Sequence, residues 1–146
     1  MAKSNSFETQ LLQHLFNNAA ISLVGDATGL PASATAGSLY IGLHTADPGE
    51  AGDQSTSEAT YTGYARVAVA RSSAGFTVSG NSVSNTAAIS FGQCTAGSNS
   101  ITHFSVGTSA SGAGKLLYKG ALNSSLAVST GISPEFAAGQ LTITEE

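Results

Sequence analysis

The sequence is poor in charged residues, aromatic residues and cysteine. Charged residues make up 10% of the chain, against about 25% in an ordinary soluble domain. Tryptophan is absent, and the single cysteine, Cys94, excludes a disulfide within the chain and is typical of a protein made in a reducing cytoplasm. Because 41% of the 146 residues are hydrophobic and the net charge is only −4, we expect a folded chain.

Positive charge is scarce and dispersed. The five cationic residues are Lys3, Arg66, Arg71, Lys115 and Lys119. Nucleic-acid binding depends on clustered Lys and Arg, so we exclude nucleic acid as a partner. No apolar run approaches the roughly 20 residues of a membrane-spanning helix, so we expect no membrane association. The N-terminal stretch "MAKSNSFETQLL" has no apolar core before a cleavage site, and we expect no signal peptide.

Residues 5–17, "NSFETQLLQHLFN", have the apolar spacing of one amphipathic helix. The apolar stripe of this helix consists of Phe7, Leu11, Leu12, Leu15 and Phe16. We expect Asn5 to cap the helix, with Glu8 three residues later as in a capping box. The stripe either packs on its own domain or docks on a neighbouring subunit. We name its five residues as the predicted partner interface.

After the helix, residues 18–38 are rich in Gly, Ala, Ser and Thr and predict a long loop or arm. From Leu39 onward the apolar period changes to two, as in β-strands. Gly80-Asn81 predicts a two-residue hairpin turn of type II′. The predicted strands lie within residues 39–44, 64–71, 75–79, 82–86, 87–91, 101–107, 115–122, 125–129 and 140–144. This series of short, evenly spaced strands predicts an all-β sandwich or barrel.

The segment "LYIGLHTADPGEAGD" places His44 before three carboxylates. Asp47, Glu50 and Asp53 recur every third residue, whereas a calcium loop has a denser pattern of Asp and Asn and a distal Glu. Asp47-Pro48-Gly49-Glu50 instead suits a turn with proline at its second position. We therefore expect a polar loop that needs no metal.

Other chemistries have weaker support. His14, His44, His103 and Cys94 share no zinc-ligand spacing, and a Cys94–His103 nucleophile pair lacks a matching signature around the cysteine. The run 112–115, "GAGK", lacks the Ser or Thr that follows the lysine of a phosphate-binding loop. We expect Cys94 to be a small packed side chain. The sequence predicts no catalytic residue, no cofactor, no metal and no enzymatic activity.

The order of several segments resembles a family of small tailed-bacteriophage virion proteins. The segments are "LYIGLHTADPGEAG", "YTGYARVAVAR", "NTAAISF", "ITHFSVGTSASGAGKLLYKGAL" and "FAAGQLTIT", behind an N-terminal helix. Members are often labelled tail fibre proteins, and some resemble capsid decoration, or cement, proteins with a jelly-roll fold. The resemblance implies a mainly β, antiparallel, jelly-roll-like β-sandwich with one N-terminal α-helix and no catalytic motif.

We expect one structural domain, with a helix and extended arm at 1–38 and a β-sandwich at 39–146. Two functional hypotheses follow. In the first, the chain is made in the host bacterial cytoplasm and forms a homo-oligomeric cement on the capsid surface. Its partners are then the major capsid protein and copies of itself. In the alternative, it is a tail-fibre or host-surface-binding module that uses loop 45–63 with Tyr61 and Tyr64. Since the sequence shows neither repeats nor heptads, as long trimeric fibres usually do, we expect the cement.

Overall fold

The structure is a computed structural model that describes all residues, Met1–Glu146, and contains one α-helix and nine β-strands. These are α1 (Asn5–Asn17), β1 (Ser38–His44), β2 (Val67–Ala70), β3 (Phe76–Ser79), β4 (Ser82–Asn85), β5 (Ile89–Ser90), β6 (Asn99–Gly107), β7 (Leu116–Val128), β8 (Glu135–Phe136) and β9 (Thr142–Thr144). The helix is too short to cross a membrane. The predicted mainly β fold with one N-terminal helix is confirmed.

The strands form three sheets. Their orders are β2-β1-β6-β7, β3-β4-β9 and β5-β8. β6 pairs antiparallel with β1 and with β7, and β4 pairs antiparallel with β3 and with β9. Antiparallel pairing was expected from the short, closely spaced strands, because hairpins and meanders need only short connections.

The chain divides into two compact units. The first comprises residues 1–38, 69–88 and 136–146, and the second comprises residues 39–68 and 89–135. β1, β2 and β8 each have residues on both sides of a boundary. The predicted arm at 1–38 and the single domain overall stay predictions.

In the first unit, α1 is held at both ends. Ser4, and not the expected Asn5, is the N-cap, and its side chain accepts a hydrogen bond from the Phe7 amide. Both residue types cap well, so local preference did not separate the two neighbouring positions. At the other end, the Arg71 guanidinium donates to the carbonyls of His14 and Leu15, both at 2.6 Å. These last-turn carbonyls have no partner within the helix, and a cation there also complements the helix dipole.

The hairpin of the first unit has the predicted turn. Ser79 pairs with Ser82, and Gly80 has a φ of +60°, while Asn81 is outside the positive-φ region. A positive φ at the first central residue only is what a type II′ turn requires. Asn85 at the end of β4 is 1% exposed, and its Oδ1 accepts from the Leu141 amide at 2.9 Å, which fixes the C-terminal segment.

In the second unit, β1 and β6 supply the apolar core, and Ile41 pairs with Val106. β7 differs from the prediction of two strands at 115–122 and 125–129, because it is one strand of 13 residues. Its register on β6 shifts between Ile101 and His103, so the four residues 122–125 have no partner on β6. The polar residues in this gap were predicted to separate two strands. The residues before and after them both pair with β6, so β7 continues through the gap.

Candidate functional site

The predicted interface residues of α1 do not share one environment. Leu12 and Phe16 are fully buried, and the ring of Phe16 packs edge-on against Phe76 at a centroid distance of 4.8 Å. Leu11 and Leu15 are half-buried, and Phe7 is 38% exposed. One edge of the stripe therefore packs within the first unit. The role of the stripe as a partner interface stays a prediction.

Exposed apolar side chains are concentrated near the N-terminus of the first unit. We define the N-terminal apolar group as Phe7, Leu23, Val24 and Leu30, which are 38%, 77%, 44% and 44% exposed. Leu30 pairs through its backbone with Ile21, so the arm after the helix is folded back on itself. Sequence reasoning missed the three arm residues because they follow no helical or strand period, although apolar residues among glycines were a visible signal.

His44 is fully buried at the end of β1. Its Nδ1 lies 2.8 Å from the Thr56 carbonyl, and its Nε2 lies 2.7 Å from the Ser105 hydroxyl. Since the carbonyl can only accept, Nδ1 carries the proton and Nε2 accepts from Ser105. Burial lowers the pKa of His44, and its hydrogen bond to the Thr56 carbonyl acts in the opposite direction. The histidine thus ties the strand to the loop that follows.

The pKa of His44 predicts a pH dependence of stability. The pKa of His44 in the folded chain is lower than its ordinary value of 6.5. As the pH falls below 6.5, the unfolded chain therefore binds a proton more readily than the folded chain does. We expect the free energy of unfolding, measured by urea titration, to fall as the pH drops through that value towards the lower folded pKa. A His44→Gln variant should lose this part of the pH slope. An NMR titration that gave His44 a pKa above 6.5 would contradict the prediction.

The carboxylates that follow His44 are engaged within their own loop. Asp47 accepts from the Gly49 amide at 2.8 Å and forms an ion pair with Lys119 at 2.9 Å, and these contacts lower its pKa. Asp53 accepts from the amide and hydroxyl of Ser55, which lowers its pKa too. The structure contains no group of three or more His, Cys, Asp or Glu side chains placed so that they could hold a metal ion.

The turn in this loop begins two residues later than predicted. The Gly52 amide bonds to the Gly49 carbonyl at 3.4 Å, and Gly49 has a φ of +76°. The bend at Asp47-Pro48 comes from the side chain of Asp47, which substitutes for a backbone acceptor. The expected polar loop is therefore present, and its independence of metal stays a prediction.

An ion pair that sequence reasoning missed holds this region together. The Arg66 side chain is 2% exposed, and its guanidinium makes two bonds to Glu58, at 2.7 and 2.8 Å. It also donates to the carbonyls of Ser109 at 2.9 Å and Gly112 at 2.6 Å. A single arginine at the start of a strand in a chain poor in charge was the available signal. We call these groups the Arg66 network.

Gln54 adds a second link between the same two loops. It is fully buried, and its Oε1 accepts from the amides of Thr108 and Ser109 at 3.0 and 2.9 Å. The backbone amide of Gln54 donates to the Ala113 carbonyl at 2.9 Å, and its side-chain Nε2 donates to the Ser109 carbonyl at 3.3 Å. Loop 108–114, which looked in the sequence like a featureless turn, is thus anchored to segment 54–66.

The two tyrosines expected to contact a host surface are occupied within the second unit. Tyr61 is 3% exposed, and its hydroxyl donates to the Gly92 carbonyl at 3.0 Å. The Tyr64 hydroxyl donates to Glu58 and accepts from the Leu43 amide, and burial raises its pKa. The Tyr61 ring is buried, whereas Tyr64 is half-buried and its ring stacks on that of Phe91. The use of these tyrosines in host binding stays a prediction.

Cys94 lies in the second unit and is 1% exposed. Its thiol donates to the carbonyls of Ala96 and Gly97 at 3.4 and 3.5 Å. His103, the conceivable partner in a nucleophile pair, is bonded through Nδ1 to the hydroxyl of Thr102 at 2.8 Å. The thiol therefore packs as a small side chain, as expected.

Comparison with known protein families gives a match over most of the chain. A family described as "Podophage GP4 fiber I protein gp80" matches residues 2–144, which is nearly the whole sequence. No curated protein matches the chain. The match agrees with the resemblance to tailed-phage virion proteins, and its description agrees with the fibre label better than with the cement label.

Proposed function

Because the chain belongs to the family described as Podophage GP4 fiber I protein gp80, and is therefore a bacteriophage virion structural protein, we propose that it is a component of a tail fibre. The observation that carries the proposal is the match over residues 2–144. The description names a fibre, so it favours the alternative hypothesis over a capsid cement. Nothing in the match places the chain on the capsid surface.

A non-enzymatic role is part of the proposal. The buried polar side chains of the second unit are bonded to one another and to backbone groups, as in the Arg66 network and at His44. A catalytic group needs an open side to reach a substrate. The fully bonded state of these groups supports a structural part for them.

We assign the contact between subunits to the N-terminal apolar group, and its occupant to another copy of this chain. The exposed apolar side chains of this group support such a contact, because three of the four lie on the same arm. In a symmetric oligomer the same surface is used on every copy, so the apolar area that a few exposed residues bury increases with the number of subunits. Burial of a Leu or Val side chain contributes on the order of 1.5–3 kcal/mol.

Labelling of purified virions tests the fibre assignment. Antibodies against the chain, imaged by electron microscopy on the phage that encodes it, are expected to bind fibres at the tail. Antibodies against a major capsid epitope serve as the control for head labelling. Label spread over the whole head would contradict the proposal and would instead support the cement hypothesis.

Sedimentation velocity tests the subunit contact. We expect a Leu23→Ser, Val24→Ser double variant to weaken self-association of the purified chain, since each change removes exposed apolar surface in the N-terminal apolar group. Ile132→Ser is the matched control, because Ile132 is 39% exposed but lies in the second unit. Equal association of the double variant and the wild-type chain would show that another surface makes the contact.

A further inference from the structure

Residues 22–29 form a loop that is closed at its base, and we call it the tip loop. Ile21 and Leu30 exchange two backbone hydrogen bonds at this base, at 2.9 and 2.8 Å. Beyond them, the side chain of Asn18 makes two bonds with the backbone of Ser33, at 2.9 and 2.8 Å. The tip loop is therefore held by these hydrogen bonds as a preformed part of the arm.

Leu23, near the start of the tip loop, departs from two local preferences. Its φ is +66°, in the left-handed region that glycine and asparagine tolerate and bulky side chains rarely adopt. Glycine occupies the other left-handed positions of the loop, Gly25 and Gly29. The Leu23 side chain is also 77% exposed, so burial within the chain does not compensate for the backbone strain. Departures of this kind are expected at functional positions.

Asp26 stabilises the tip loop from within. Its Oδ1 accepts hydrogen bonds from the amides of Thr28 and Gly29, at 2.8 and 3.0 Å, as in an Asx turn. A side chain at Gly29 would place its Cβ 2.0 Å from the Ile21 carbonyl oxygen, so this close approach requires glycine. Asp26 is the only charged residue of the loop, and it bonds the loop's own backbone. The loop thus combines a fixed backbone with an exposed apolar side chain at Leu23.

We propose that Leu23 is the anchor residue of the contact between copies of this chain, and that Asp26 is its positioning residue. The inference rests on the subunit contact proposed above and names the residue on which that contact depends. A loop that already holds its contact residue in place loses less conformational entropy on binding. Residues 18–37 contain no Lys or Arg to hold anionic lipid headgroups, which favours a protein surface over a membrane. A second copy offers the exposed apolar side chains of Phe7 and Leu30 as the surface on which Leu23 packs.

Leu23→Asn separates binding from folding at this position. Asparagine tolerates the left-handed region, so the melting temperature of the full chain should equal or exceed that of wild type. Self-association, measured by sedimentation velocity, should weaken about tenfold because the anchor is lost. Val24→Asn, at a 44% exposed residue outside the positive-φ region, is the matched control and should weaken association less. Association equal to wild type in Leu23→Asn would overturn the proposal, as would binding of wild type to phosphatidylglycerol vesicles that Leu23→Asn abolishes.

Variants of Asp26 test its positioning role without removing apolar surface. Asp26→Ala removes the acceptor of both amides and should weaken self-association several-fold, whereas Asp26→Asn keeps an acceptor oxygen and should restore it. Both variants remove the same charge, so charge alone does not account for a difference between them. Asp53→Ala, which removes a similar turn in the second unit, is the control and should associate as wild type. If Asp26→Ala associates as wild type while the Leu23→Ser, Val24→Ser double variant is weakened, the subunit contact stands and the positioning role is wrong.

Discussion

Replacement of Phe16 with alanine is expected to lower the free energy of unfolding by about 3–5 kcal/mol. Phe16 is fully buried, and its ring meets that of Phe76 at 72°. The variant loses the transfer free energy of the ring and leaves a cavity that the surrounding side chains fill only in part. Urea denaturation followed by circular dichroism measures the change.

Phe7 supplies the matched control on the same helix. It is 38% exposed, so Phe7→Ala should cost about 1 kcal/mol or less, as is usual at surface positions. Equal losses in the two variants would show that the helix is not anchored by the face that carries Phe16. A deletion of residues 1–17 would remove Leu12 and Phe16 together, so we expect it to unfold the first unit whether or not the helix also contacts a neighbour.

The elements that could be predicted from the sequence are those fixed by local interactions. The helix bounds, Asn5–Asn17, follow from a repeat that lies wholly within the segment. The Gly80-Asn81 turn follows from the conformational freedom of one glycine, which takes a positive φ without steric cost. In both places, the residues that determine the structure are neighbours in the chain.

The elements that could not be predicted depend on distant partners. β8 has only two residues, and its strand conformation comes from pairing with β5, which lies some 45 residues earlier in the chain. Glu8 on α1 and Gly80 in the hairpin turn line the same pocket, and nothing in residues 5–17 indicates that they are neighbours. The Arg66 network joins an arginine to carbonyls more than 40 residues away. Periodicity carries no information on contacts of this range.

The choice between fibre and cement was also beyond the residues themselves. Both hypotheses describe a charge-poor β protein without a catalytic motif, so composition and motif searches do not separate them. The lack of heptads and repeats was used in favour of the cement. That argument concerns long fibre shafts, and a compact β chain attached to a fibre needs no such pattern. The description of the family that matches residues 2–144 names a fibre, and it therefore favours the fibre hypothesis.

The second large effect is expected at Arg66. Arg66→Ala should lower the free energy of unfolding by about 3–5 kcal/mol, the usual cost when one partner of a buried ion pair is removed. The Glu58 carboxylate, whose side chain is 19% exposed, would lose both of its guanidinium bonds. The carbonyls of Ser109 and Gly112 would lose a donor as well, so loop 108–114 would lose one of its two anchors.

Two comparisons make the Arg66 prediction specific. Lys119→Ala breaks a more exposed pair with Asp47 and should cost much less than Arg66→Ala, because solvent screens an exposed ion pair. Arg66→Lys keeps the charge but loses the planar fork that bonds Glu58 twice, so it should lie between wild type and Arg66→Ala. Urea denaturation of the three variants at neutral pH gives the order. If Arg66→Ala costs no more than Lys119→Ala, the network does not stabilise the second unit, and loop 108–114 must be held by Gln54 alone.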